Sequence, residues 1–243
     1  MLKKASGVLA MVIAMSASGF AAAADKVTYQ LDWLPGGDKA PVYAGIQQGF
    51  FADEGLDVTV ASGRGSTDAI TKIATGQADI GSADIGALMA ARAQDTVPVS
   101  AVYMLFNQGP HAFFSLSDSG INSFTDIAGK KVATSPFTSS NAFLPLVLEA
   151  NDMPADAVSL TKSDPGALGP MLVTGNTDAI IAWVTNIALF QQQAAAAGKE
   201  INVIRWSDAG LSLYSSALVA ADKFLNERPD VAKRFLRAYD KSL

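Results

Sequence analysis

The chain has 243 residues, of which 49% are hydrophobic and only 17% charged. This length and apolar content suffice for one large globular domain or two smaller ones, and they exclude a disordered chain. An excess of 23 acidic over 18 basic residues argues against nucleic acid and anionic membranes as partners, and the lack of cysteine excludes disulfides, thiolate metal sites and cysteine nucleophiles.

The first 24 residues read as a secretory signal peptide. Lys3 and Lys4 give a positive start, residues 8–20 form an apolar run, and four alanines precede Asp25. That run is too short and too rich in small residues to span a bilayer comfortably. A lipoprotein needs a cysteine just after its signal, so a released protein is expected, in the periplasm. The mature chain then alternates short β-rich runs with helical patterns, the grammar of an α/β domain with mostly parallel strands. Residues 27–31 are a first strand, broken by Pro35-Gly36-Gly37. A helix follows over residues 40–48, with Asp38 as its N-cap and Gly49 at its end. Strands are expected at 56–60, 78–81 and 97–103, and helices at 67–74 and from about 84 to 92.

The second half repeats the pattern. Strands are expected at 112–116, 131–134, 179–182, 201–205 and 216–220, a helical turn at 124–127, and helices at 141–150, 186–197 and from 229 onward. Pro145 implies a late start or a kink in its helix. In the last helix Val231, Phe235 and Ala238 recur at helical spacing. That helix reaches Leu243 without a glycine or proline stop, so a longer natural chain is expected.

Four segments carry a family resemblance. They are Asp32-Trp33-Leu34-Pro35 with residues 40–58, residues 70–81, residues 124–133, and residues 217–220 running on to Arg228-Pro229-Asp230 and residues 234–239. In order and spacing they resemble the NMT1/THI5-like solute-binding proteins of ABC importers, which serve nitrate, sulfonates, taurine and thiamine-pyrimidine precursors. The resemblance implies a type II periplasmic-binding-protein fold: two α/β lobes, a ligand cleft between them, and two crossing strands near residues 108–114 and 211–216. Lobe one would hold residues 26–110 and 216–243, and lobe two residues 111–215. Family members usually continue with further helices, in keeping with the expected longer chain.

In open α/β sheets ligands bind beyond the carboxyl ends of strands, where helix N-termini expose unpaired N–H groups. Four such loops are rich in small polar residues: Asp32-Trp33, residues 63–66 with Arg64, Ser82-Ala83-Asp84, and residues 135–141. Trp33 is either a packed core aromatic or a flat face for a heterocycle. The resemblance to the thiamine-pyrimidine branch favours stacking, with Asp32 accepting a hydrogen bond from an exocyclic amine and Tyr43 reaching the same space. Ser82 or Asp84 caps a helix, a role compatible with ligand contact. Ser135, Thr138, Ser139, Ser140 and Asn141 are the corresponding element of lobe two, suited to an anion or a polar ring edge. Trp183 and Asn186 resemble cleft positions of the family. Where pyrimidine binders often carry an acid or a tyrosine, this chain has Thr185 and Asn186. Residues 63–66 lack Walker spacing and read as a plain turn, although Arg64 is the best cation for a sulfonate.

His111, the only histidine, precedes an apolar run at a crossing and reads as a hinge or packing residue. The pyrimidine synthases that share the fold depend on cysteine and histidine motifs near the cleft. With no cysteine and one histidine, this chain is expected to catalyse nothing. The expectation is therefore a monomeric receptor that closes on a small heteroaromatic ligand, or alternatively on a sulfonate, taurine or nitrate. It would then dock on an inner-membrane permease, with no metal or cofactor.

Overall fold

The structure is a computed structural model that describes residues 23–243. Apart from Ala23 and Ala24, the signal segment lies outside the described residues. In chain order the elements are β1 (Asp25–Gln30), α1 (Ala40–Gln47), α2 (Phe50–Asp53), β2 (Leu56–Ala61), α3 (Ser66–Ala74), β3 (Ile80–Asp84), α4 (Ile85–Gln94) and β4 (Val99–Met104). Next come β5 (His111–Leu116), β6 (Lys131–Thr134), α5 (Ser140–Glu149), β7 (Ser159–Lys162), α6 (Pro165–Val173) and β8 (Ala179–Trp183). The chain continues with α7 (Ile187–Ala196), β9 (Ile201–Arg205), β10 (Ser216–Ala221), α8 (Asp222–Glu227) and α9 (Pro229–Lys241). Short 3-10 turns cover Gly37–Lys39, Phe124–Ile127 and Val184–Asn186.

Two five-stranded sheets result, ordered β2-β1-β3-β10-β4 and β7-β6-β8-β5-β9. Each forms the centre of one α/β lobe. In the first, β10 runs antiparallel to β3 and β4; in the second, β5 runs antiparallel to β8 and β9. These are the strands that receive the chain after it passes between the sheets. The crossings therefore end where Ser216 pairs with Asp84 and His111 pairs with Trp183.

The lobes have separate cores. In the first, Val231, Phe235 and Ala238 form the buried stripe of α9, as their spacing predicts. Phe235 stacks on Tyr29 of β1 at 5.7 Å and meets Phe51 at 5.0 Å. The second sheet is covered on both faces. Consecutive strand residues point to opposite sides, so Phe113 and Ile181 join a cluster with Val147 and Trp206, while Phe114 and Ile180 join Leu168 and Phe190 on the other side.

Several local expectations need correction. Asp38 does not cap α1; Lys39 holds that position without a side-chain cap, and the Asp38 carboxylate takes the Lys39 ammonium instead. Helix α5 starts at Ser140 and keeps Pro145 inside it. Strand β7 and helices α2, α6 and α8 have no counterpart in the expected elements. Ser159–Lys162 is an exposed edge strand without apolar alternation, and α6 carries Pro165, Gly166, Gly169 and Pro170, which locally read as loop.

Candidate functional site

The C-terminal ends of β1 and β8 face each other across the two lobes and deliver a tryptophan each. Trp33 and Trp183 line a narrow slot together with Asp32, Gly65, Ser66, Thr138, Ala182 and Asn186. Trp33 projects from the first lobe and packs against the second lobe's apolar cluster around Ala182 and Leu168. A larger recess opens at the crossings beside His111, Phe106, Thr185 and Arg205. Only the smaller slot joins the two tryptophans, and it is correspondingly the more enclosed.

Charge in this region is concentrated in a cluster whose cation the sequence reading did not single out. Lys39 is the only lysine or arginine buried among the described residues, at 4% exposure. Its ammonium contacts Asp32 Oδ1, lies 2.7 Å from Asp38 Oδ2, and sits 5.4 Å from the centre of the Trp183 ring. Burial by itself would lower the Lys39 pKa, but the Asp32 and Asp38 carboxylates outweigh it and raise the pKa above the ordinary lysine value. Two carboxylates and one ammonium leave this cluster net negative. Local pattern could not reveal Lys39, because a lysine at a helix start reads as a solvated residue.

The expected site residues separate into groups. Asp32, Trp33, Thr138, Trp183 and Asn186 meet in the slot. Ser82 stands behind it, donating its Oγ–H to Asp32 Oδ1 at 2.9 Å. Asp84 caps α4 by accepting the Gly86 N–H at 2.8 Å, and its other oxygen accepts Ser215 Oγ–H at 2.5 Å. Ser135 donates to the Arg64 carbonyl at 2.7 Å and so ties the lobes together. Asn141 secures its own loop, donating to the Ser135 carbonyl at 2.8 Å. Ser139 is buried with an unpartnered hydroxyl, and Ser140 Oγ lies 2.9 Å from His111 Nδ1.

Two expected residues lie elsewhere. Tyr43 is 41% exposed on α1 and does not line the slot, because the 3-10 turn of Gly37–Lys39 sets the helix so that Val42 and Gly45 face inward. The Arg64 side chain also points away. Its guanidinium binds Asp68 at 3.2 Å and covers the Phe137 ring at 4.6 Å. His111 is fully buried at the first crossing among Phe143, Trp183 and Trp206, with its Nε2 3.6 Å from Asp84 Oδ2.

Residues 63–66 do more than turn. A Cβ on Gly65 would lie 2.0 Å from the Phe137 carbonyl oxygen of the other lobe, and the Thr67 N–H donates to that same oxygen at 3.1 Å. Glycine is therefore needed here both for close approach and for its φ of +151°. Among the described residues no cluster of metal-ligating side chains occurs, and no helix is long and apolar enough to cross a membrane.

Two lobes of this topology, each ending its strands at a shared cleft, define the periplasmic-binding-protein fold. The chain belongs to the NMT1/THI5 like family, whose model matches residues 37–243. The alkanesulfonate-binding protein SsuA from Xanthomonas axonopodis pv. citri has the same fold, with a TM-score of 0.72 at 14% identity over 91% of this chain and 73% of that one. A formylaminopyrimidine-binding protein of Halalkalibacterium halodurans is 27% identical over 220 residues, covering 89% of this chain and 64% of that protein. A 4-amino-5-hydroxymethyl-2-methylpyrimidine phosphate synthase of Schizosaccharomyces pombe is 22% identical, covering 88% of this chain and 63% of that protein. The chain thus spans less than two thirds of the length of these two curated relatives.

The expectation that the chain catalyses nothing is corrected by these relatives. Proteins of Schizosaccharomyces pombe, Saccharomyces cerevisiae and Legionella pneumophila that match it at 22–30% identity carry the synthase name, an enzymatic activity. The expectation rested on missing residue types alone. Acid–base chemistry needs placed ionisable groups, not cysteine, and the cleft region buries Asp32, Asp38, Lys39 and His111.

Proposed function

We propose that this protein is the periplasmic solute-binding component of an ABC importer and that it takes a small heteroaromatic ligand, such as a thiamine pyrimidine precursor, between its lobes. The ligand bridges the two lobes, shifts the population toward the closed form, and the closed form docks on the inner-membrane permease. One observation carries the ligand class: Trp33 and Trp183, from opposite lobes, line a single slot that also contains the buried carboxylate of Asp32. Flat indoles suit an aromatic ring, and a net negative cluster favours amine donors. The aminopyrimidine named for a binding relative and the pyrimidine named for the synthases support the same ring. A sulfonate is disfavoured, since Arg64 is engaged by Asp68 and Phe137 outside the slot.

Isothermal titration of the mature protein with aminopyrimidine precursors, and in parallel with taurine and alkanesulfonates, tests this. Pyrimidine binding is expected, with Trp33→Ala weakening it by roughly tenfold or more, the worth of one stacking contact and its buried area. Sulfonate binding alone would overturn the ligand class. The synthase relatives favour a second reading, in which the same cleft forms a pyrimidine phosphate. Mass spectrometry of small molecules released on denaturing the purified protein separates the two: a phosphorylated pyrimidine supports synthesis, a free one supports transport.

A further inference from the structure

The recess at the crossings is separate from the tryptophan slot and far roomier. It encloses about 360 Å3, inside the range of roughly 300–1,000 Å3 that holds small ligands. The first crossing, through Phe106 and Pro110, forms one wall. Val184, Thr185, Arg205 and Asp208, at the carboxyl ends of β8 and β9, form the other. Ligands of α/β sheets bind on that side. Arg205 is the unusual member of this lining. Arg64, Arg92, Arg228, Arg234 and Arg237 each pair with a carboxylate. Arg205 alone among the chain's arginines joins no ion pair, although acids outnumber bases. Alternation along β9 turns Ile204 into the core and leaves Arg205 exposed on the recess. Asp208 does not reach the guanidinium; its Oδ1 accepts the Ser207 hydroxyl at 3.4 Å.

We propose that this recess is a second ligand site, separate from the slot, which takes a small organic monocarboxylate. The planar guanidinium of Arg205 donates two parallel N–H bonds to the carboxylate. Phe106, Pro110 and Val184 supply an apolar flank for the body of the molecule. Asp208 on the same wall repels a second negative charge, so a monoanion is favoured over a dianion such as phosphate. The site does not depend on what the slot binds.

The test is an amide NMR titration with benzoate and benzamide, which share a shape and differ in charge, and with inorganic phosphate. Benzoate is expected to move the Val184 and Thr185 signals and to leave the Trp33 indole signal in place. It should bind roughly tenfold more tightly than benzamide, the lower end for a hydrogen bond to a charged group because Arg205 is exposed. Arg205→Gln should erase that preference at an unchanged melting temperature, and Trp33→Ala should leave benzoate binding as it was. No shift at roughly 10 mM benzoate, a concentration that detects millimolar binding, overturns the inference. So does a preference for benzoate that is absent in wild type or survives Arg205→Gln; Arg205 would then only guard the open edge of β9. Phosphate binding as tight as benzoate overturns the choice of a monocarboxylate. Benzoate binding that Trp33→Ala abolishes overturns the separate site, whereas a failure of pyrimidine binding in the slot leaves it standing.

Discussion

Lys39 illustrates how a charge is held inside the fold. Its ammonium is surrounded by two carboxylates and an indole face, so it keeps its proton despite burial. Removing it leaves Asp32 and Asp38 buried without their cation, a change that costs about 3–5 kcal/mol when one partner of a buried pair is deleted. We therefore expect Lys39→Met to lose about that much stability in urea unfolding. Converting Asp32 and Asp38 to Asn in the same chain should recover much of the loss. A Lys39→Met protein as stable as wild type would show that water already reaches these carboxylates. Trp183 lies on the other side of the same ammonium and carries a buried, unpartnered indole Nε1.

At the scale of elements, the helix and turn starts do the positioning. The 3-10 turn Phe124–Ile127 begins at a capping box in which Asp126 Oδ2 accepts the N–H groups of Asn122 at 3.0 Å and Ser123 at 2.8 Å. The backbone N–H of Asn122, then the hydroxyl and N–H of Ser123, hold the Asp126 carboxyl below the ordinary aspartate value. A depressed folded-state pKa stabilises the fold fully above the unfolded value of about 4 and loses that contribution as pH falls through the lower folded value. The wild-type melting temperature should therefore exceed that of Asp126→Asn near neutrality, with the gap closing as the pH falls below about 4. A gap that stays constant on acidification would mean that Asp126 contributes through shape alone. Asp84 at the start of α4 shows the same logic in the interior, where one carboxylate caps a helix and also receives Ser215 at the end of the second crossing.

At the scale of the whole molecule, the two lobes meet directly as well as through any ligand. Thr67 N–H to the Phe137 carbonyl, Ser135 Oγ–H to the Arg64 carbonyl and the Arg64 guanidinium over Phe137 all bridge the cleft mouth. Gly65→Ala would push a methyl into the Phe137 carbonyl, so its small-angle scattering should report a larger radius of gyration than wild type. Gly37→Ala, where a Cβ meets nothing within 4 Å, is the control. Matching scattering curves for Gly65→Ala and wild type would show that the lobes are held apart in solution already. Much of this architecture was legible in the chain itself. Periodicity of two or of three to four is a local property, so most of the strands, the stripe of α9 and the tryptophans at two strand ends could be read in order. The helices rich in proline and glycine and the polar edge strand could not, because neighbouring elements, not their own propensities, hold them. Tertiary structure alone decided which polar loops meet. Sheet order and the two crossings bring Trp33 to Trp183 and Gly65 to Phe137, turn Tyr43 and Arg64 outward, and bury Lys39 between Asp32 and Asp38. Contacts between residues far apart in sequence depend on how strands are ordered in space, and nothing within either segment encodes that order.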